Sequence, residues 1–170
     1  MEEFLSDERW SVEYLRALEE LQRREGLSWL PSEVTEWSKL KELTLKDNNL
    51  TELPTTINKL KRLRELYLDG NNLSELPAEI GDLKKLWWLS VSNNQLVGLP
   101  TSIQKLNRLQ CLVLDGNNLT ELPAEIGDLK KLKSLTVSGN PLTVDAIHLA
   151  LKSWRKEDCP LILQVRTNKG

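Results

Sequence analysis

The sequence predicts an α/β solenoid: a parallel β-sheet built from stacked repeats, with a helical cap at each end. Three observations predict it. Leucine-type residues recur with a period of 23 over most of the 170-residue chain. Within each period a Leu-x-Leu step, as in Leu43-Thr44-Leu45, alternates apolar and polar residues as a strand does. The repeats are flanked on both sides by segments whose apolar residues recur at helical spacing. One such unit cannot bury its own leucines, so neighbours must stack, share a continuous core and lie parallel.

The motif Leu-x-x-Leu-x-Leu/Val-x-x-Asn-x-Leu begins at Leu40, Leu63, Leu86, Leu109 and Leu132. The first four copies continue as Leu-Pro-x-x-Ile-x-x-Leu, through Leu53-Pro54 and Ile57, Leu76-Pro77 and Ile80, Leu99-Pro100 and Ile103, and Leu122-Pro123 and Ile126. A half repeat precedes them, with Leu27, Leu30, Pro31, Val34 and Trp37 in phase. Over residues 27 to 142 this pattern resembles the leucine-rich-repeat family, in the 23-residue Leu-Pro-x-x-Ile subclass found in bacterial repeat proteins and in scaffolds related to Ras-pathway regulators. The resemblance implies a curved right-handed superhelix whose sheet lines a concave, ligand-binding face.

Local chemistry assigns roles to the recurring polar positions. Asn48, Asn71, Asn94, Asn117 and Asn140 fall where the chain leaves the strand, and their amides can satisfy backbone groups the turn would otherwise bury unpaired. The prolines fix φ where the return segment begins and stop a second strand from propagating. Gly70, Gly81, Gly116, Gly127 and Gly139 keep repeat phase and serve turns rather than cradling phosphate.

An open solenoid exposes its terminal leucines, so both ends need covering. The single domain spanning 1–170 divides into a helical cap (1–26), the half repeat (27–39), the repeats (40–142) and a C-terminal cap (143–170). Residues 7 to 24 read as a helix, capped by Ser6 or Asp7, stopped by Gly26, and carrying Trp10, Tyr14, Leu18 and Leu21 on one stripe. A second helix is expected over 144–156, with Ile147, Leu151 and Trp154 facing the core. Leu161 to Val165 reads as a short strand or extended tail, able to pair with a sheet edge or to lead into a further domain.

Composition limits the chemistry. With a formal net charge of −2 the chain does not point to nucleic acid or an anionic membrane as partner, and the expected state is a monomer. The N-terminus lacks the basic start and apolar run of a cleaved signal, so the expected location is the cytoplasm, or the exterior by a route without a cleaved signal. The sole histidine, His148, sits in the C-terminal cap, which excludes histidine-based triads and His-rich metal sites elsewhere; no cofactor is expected. Cys159 is weighed because some bacterial leucine-rich-repeat effectors carry a catalytic cysteine for ubiquitin transfer. That cysteine belongs to a separate helical domain without counterpart in this sequence, so the expectation is a non-catalytic protein.

The binding surface is legible from comparing the chain with itself. Residues 63–85 and 109–131 differ at four of 23 positions: Ser74/Thr120, Arg64/Gln110, Glu65/Cys111 and Tyr67/Val113. The last three flank strand leucines, while convex residues such as Glu79, Asp82 and Lys84 are matched by Glu125, Asp128 and Lys130. Alternation predicts two concave columns: Glu42, Glu65, Trp88, Cys111, Ser134 and Thr44, Tyr67, Ser90, Val113, Thr136. With Arg64 and Trp87 at the strand entrances, the predicted partner-binding residues are Glu42, Thr44, Arg64, Glu65, Tyr67, Trp87, Trp88, Ser90, Cys111 and Val113. Exposed Trp and Tyr among polar groups have the composition of a binding hot spot, although a Trp pair can equally fold against a neighbouring strand. An acidic end formed by Glu42, Glu65 and Asp69 would favour basic residues in the ligand. The resemblance implies that this ligand is another protein, such as a small GTPase or other signalling protein. A recognition half of a bacterial effector or ubiquitin ligase, and a ligand-free scaffold, are the alternative readings.

Overall fold

The computed structural model of the chain describes residues 37–152 and the backbone of a strand at Ile162–Gln164. Six three-residue strands form one sheet in sequence order: β1 (Glu42–Thr44), β2 (Glu65–Tyr67), β3 (Trp88–Ser90), β4 (Cys111–Val113), β5 (Ser134–Thr136) and β6 (Ile162–Gln164). Every neighbouring pair is parallel. At about 4.8 Å per strand the sheet is roughly 24 Å across. The tail segment that sequence left open between strand and extended chain is thus the sixth strand, paired with β5 through Ser134↔Ile162 and Thr136↔Gln164.

Each strand is short because its central leucine alone points inward: Leu66, Leu89, Leu112 and Leu135 have no solvent exposure. After the strand the chain turns on its asparagine. Asn71 donates from Nδ2 to Leu45 O (2.8 Å) and Leu68 O (2.9 Å), while its Oδ1 accepts from Leu50 N (3.0 Å). Asn94 and Asn117 repeat this pattern, so each amide ties its own turn to the preceding repeat, as the sequence predicts. The return segment is a 3-10 turn, a detail that periodicity does not give. Thr55–Lys59, Ala78–Asp82, Thr101–Lys105 and Ala124–Asp128 each follow a proline with φ between −63° and −67°. The pyrrolidine pre-sets that φ, and the isoleucine N–H bonds back to the proline carbonyl at 2.9–3.0 Å. Ile57, Ile80, Ile103 and Ile126 thereby meet the strand leucines in one continuous core.

Trp37, buried at 3% exposure, begins the described core from the half repeat. The expected helix over residues 7–24 and half-repeat residues 27–36 lie outside the described ones. At the other end helix α1 (Val144–Ala150) is capped by Thr143, whose Oγ1 accepts from Ala146 N at 3.1 Å. Ile147 and Ala150 are buried against the core, and Leu151 packs on it. This helix is shorter than the 144–156 expected: it closes at Ala150, where Lys152 N bonds to Leu149 O and tightens the last turn. Trp154 lies outside the described residues.

Candidate functional site

The register assembles both columns that alternation predicts. Glu42, Glu65, Trp88, Cys111 and Ser134 are successive partners across β1–β5, as are Thr44, Tyr67, Ser90, Val113 and Thr136. The leucine between each pair is buried, so the flanking side chains share the opposite, concave face. Arg64 and Trp87 stand one residue before their strands, and Arg64 O accepts from both Trp87 N (2.8 Å) and Trp88 N (3.1 Å).

Exposure is uneven along the columns, and this corrects the sequence reading. Glu42, Thr44 and Arg64 are exposed, while Glu65, Tyr67, Trp87, Trp88 and Val113 are half-buried. Ser90 (6%) and Cys111 (8%) are buried. Both are small side chains set between larger register partners, Ser90 between Tyr67 and Val113 and Cys111 beside Trp88. Ser90 is also committed: its Oγ donates to Asp69 Oδ1 at 2.5 Å. Neither offers a free contact surface.

The aromatic residues form one group across β2 and β3. Trp88 lies 6.2 Å from the Tyr67 ring at 42°, and Trp87 meets Trp88 edge-on at 5.9 Å and 83°. Such pairs contribute about 0.5–1.5 kcal/mol beyond area burial. Trp88 therefore packs on both Tyr67 and Trp87, as the packing alternative expects, while all three side chains stay only half-buried. The Trp88 indole N–H is buried with no hydrogen-bond partner, so ring packing rather than a polar anchor orients this side chain.

Charges divide into a neutralised and an unneutralised part. Lys46 Nζ sits 4.7 Å above the Tyr67 ring and 3.2 Å from Asp69 Oδ2. Asp69 Oδ1 also accepts from Ser92 N at 2.9 Å. Asp69 is thus a brace between repeats, which corrects its assignment to an acidic binding end. Asp115 braces the next pair in the same way, accepting from Thr136 Oγ1 (2.8 Å) and Ser138 N (2.6 Å). Sequence reasoning missed Lys46 and the brace formed by Asp115; the readable signal was the return of Asp-Gly in the two near-identical repeats. Glu42 and Glu65 face each other across β1 and β2, and among the described residues neither forms an ion pair. Glu65 Oε2 accepts from the Tyr67 hydroxyl at 2.7 Å. Burial first, then this bond and the fields of Glu65, Glu42 and Asp69, push the Tyr67 hydroxyl up to about 12.

No nucleophile is activated here. Burial pushes the Cys111 thiol up, against a smaller opposing effect of a hydrogen bond with Ser134, and a protonated buried thiol is the reverse of a reactive one. Cys159 lies outside the described residues, and His148 is exposed on α1. Among the described residues no group of His, Cys, Asp and Glu could hold a metal ion, and no helix is long and apolar enough to cross a membrane.

Stacked 23-residue units with a parallel sheet, an asparagine ladder and a proline-led return define a repeat solenoid. Residues 57–148 match the leucine-rich-repeat region family, and residues 39–60 match the leucine-rich-repeat unit. The chain belongs to the leucine-rich-repeat family. Members of this family are typically interaction scaffolds rather than enzymes. Among solved structures it is similar to a leucine-rich-repeat protein of Leptospira interrogans at 35% identity and a TM-score of 0.63, covering 81% of this chain and 40% of that one. The functional domain of InlJ from Listeria monocytogenes, which includes a cysteine ladder, is 25% identical with a TM-score of 0.65, covering 84% of this chain and 28% of that one. The plant peptide hormone receptor RGFR1, solved in complex with RGF2, is 30% identical with a TM-score of 0.62, covering 81% and 23%. The chain thus spans 23–40% of the length of these three proteins. No curated protein sequence matches it significantly.

Proposed function

We propose that this chain is a non-catalytic recognition module that binds a segment of a partner protein on the concave face, centred on Trp88 and Tyr67 with Trp87 beside them. The observation that carries the reading is the aromatic group itself: three half-buried rings joined through Trp88, which meets Tyr67 across β2 and β3 and Trp87 at the entrance to β3. Rings of this kind offer large contact area with little side-chain freedom to lose, which is why Trp and Tyr dominate binding hot spots. A strand core of leucines does not require them, since the same column carries Glu65, Cys111 and Ser134 in other repeats. The peptide-bound plant receptor supports a protein or peptide ligand as the partner class.

The test compares wild type, Trp88→Ala and a convex-face control, Lys85→Ala, in binding to a partner captured from lysate. Trp88→Ala should weaken binding by more than ~1 kcal/mol, roughly fivefold, with an unchanged circular dichroism spectrum, and Lys85→Ala should leave affinity unaltered. Unchanged affinity for Trp88→Ala, or loss of the fold in that variant, contradicts the reading.

A further inference from the structure

We propose that the segment seated on the concave face presents a cationic side chain, arginine or lysine, to the Glu42–Glu65 carboxylates beside the Tyr67 and Trp88 rings. The inference rests on the concave-face reading above and adds the chemistry of the ligand to it.

Glu42 and Glu65 are direct register partners on adjacent strands, so two like charges stand side by side on one face. Such a pair opposes sheet formation, and the fold does not need it, because Trp88, Cys111 and Ser134 fill the same column elsewhere. Other acids of the concave region are internally satisfied: Asp69 by Lys46, Ser90 and Ser92, and Asp115 by Thr136 and Ser138. Glu42 and Glu65 have no cation among the described residues. Lys41 and Arg64 precede the two acids in sequence, are exposed at the strand entrances, and ion-pair with neither.

The molecule also shows which chemistry fits this surface. Lys46 places its ammonium 4.7 Å over the Tyr67 ring while resting 3.2 Å from Asp69 Oδ2, a carboxylate-and-ring receptor filled by the chain's own lysine. One step along the sheet Glu65, whose Oε2 also accepts from the Tyr67 hydroxyl at 2.7 Å, is the register partner of Trp88, and this carboxylate beside a ring has no cation among the described residues. An arginine suits it best, since a guanidinium can bond a carboxylate and stack on an indole at once. The partner class is therefore a basic segment, with apolar residues adjoining the cation to meet Trp87 and Val113.

The test selects ligands from a phage-displayed random dodecapeptide library against the full chain. Synthetic versions of the binders, each paired with a copy carrying citrulline in place of arginine, are then measured by fluorescence anisotropy. Binders should be enriched in Arg or Lys. Citrulline should cost tenfold or more in affinity to wild type, but less than twofold to the Glu42→Gln/Glu65→Gln protein. Binders that require Trp88 yet show no basic enrichment, or an equal citrulline cost in both proteins, overturn the cation inference and leave the concave-face reading standing. Binders that hold Trp88→Ala as tightly as wild type overturn the concave-face reading, and the inference with it.

Discussion

Gly116 and Gly98 are the same residue type at different positions of neighbouring repeats, and their surroundings give them opposite mutational consequences. Gly116 has φ +65°, and a Cβ there would collide with Asn93 Oδ1; Gly98 would meet nothing within 4 Å. Asn93, itself at φ 54°, tucks its side-chain oxygen beneath the next repeat's glycine, and Asp47 does the same beneath Gly70. Gly116→Ala is therefore expected to destabilise the protein by more than ~1 kcal/mol, through left-handed backbone strain and the displaced Asn93. Gly98→Ala should be neutral or slightly stabilising, within about 1 kcal/mol. Urea midpoints of the two variants check the contrast, and equal midpoints would refute it. At this scale the sequence was read well where a residue acts through its own periodicity. The five asparagines and four Leu-Pro steps landed in their expected roles because their partners are backbone groups at fixed offsets. Ser90 and Cys111 were misread, because alternation gives the direction of a side chain but not the bulk of its neighbours. Tyr67, Val113 and Trp88 tower over both.

The strands and 3-10 turns are too short to hold themselves, so each element owes its order to the repeat on either side. β6 shows this most clearly. It lies 28 residues beyond β5 by the Ser134↔Ile162 and Thr136↔Gln164 partners, not the 23 of a repeat, because α1 intervenes. Its pairing covers the edge that β5 would otherwise leave open to association with another chain. Leu163→Pro, which removes a ladder N–H and disfavours the paired backbone, should raise hydrogen exchange at the β5 amides while β2 and β3 keep their protection. Uniform loss of protection across the sheet, or none at β5, would contradict this account of the edge. The apolar run Leu161-Ile162-Leu163 signalled a strand. Its destination was not readable, because pairing at the end of a solenoid is set by where the cap helix leaves the chain and not by any local pattern. The early end of α1 at Ala150 was hidden for the same reason: apolar spacing continues past the residue where the last turn tightens.

Across the whole molecule the repeats work in pairs. Asp47 and Asn93 underlie Gly70 and Gly116, while Asp69 reaches forward to Ser90 and Ser92, and Asp115 to Thr136 and Ser138, of the following repeat. Repeats two and four keep this scheme nearly unchanged while Glu65 and Tyr67 give way to Cys111 and Val113. The turns that brace one repeat against the next are thus held constant, while the side chains on the outward face of the strands vary. That distinction made the concave columns legible from a single sequence. The electrostatic division within them was not, because Lys46 reaches Asp69 and Tyr67 across strands, and no spacing rule encodes so long a side chain's choice of partner. Binding on this face is the central proposal. Its most direct test places a photo-crosslinking benzoylphenylalanine at Thr44 or Val113 on the concave side, and at Lys85 or Lys131 on the convex side, and irradiates each protein with a captured partner. Crosslinks from Thr44 and Val113, with none from Lys85 and Lys131, are the predicted result; crosslinks from the convex positions alone would contradict it.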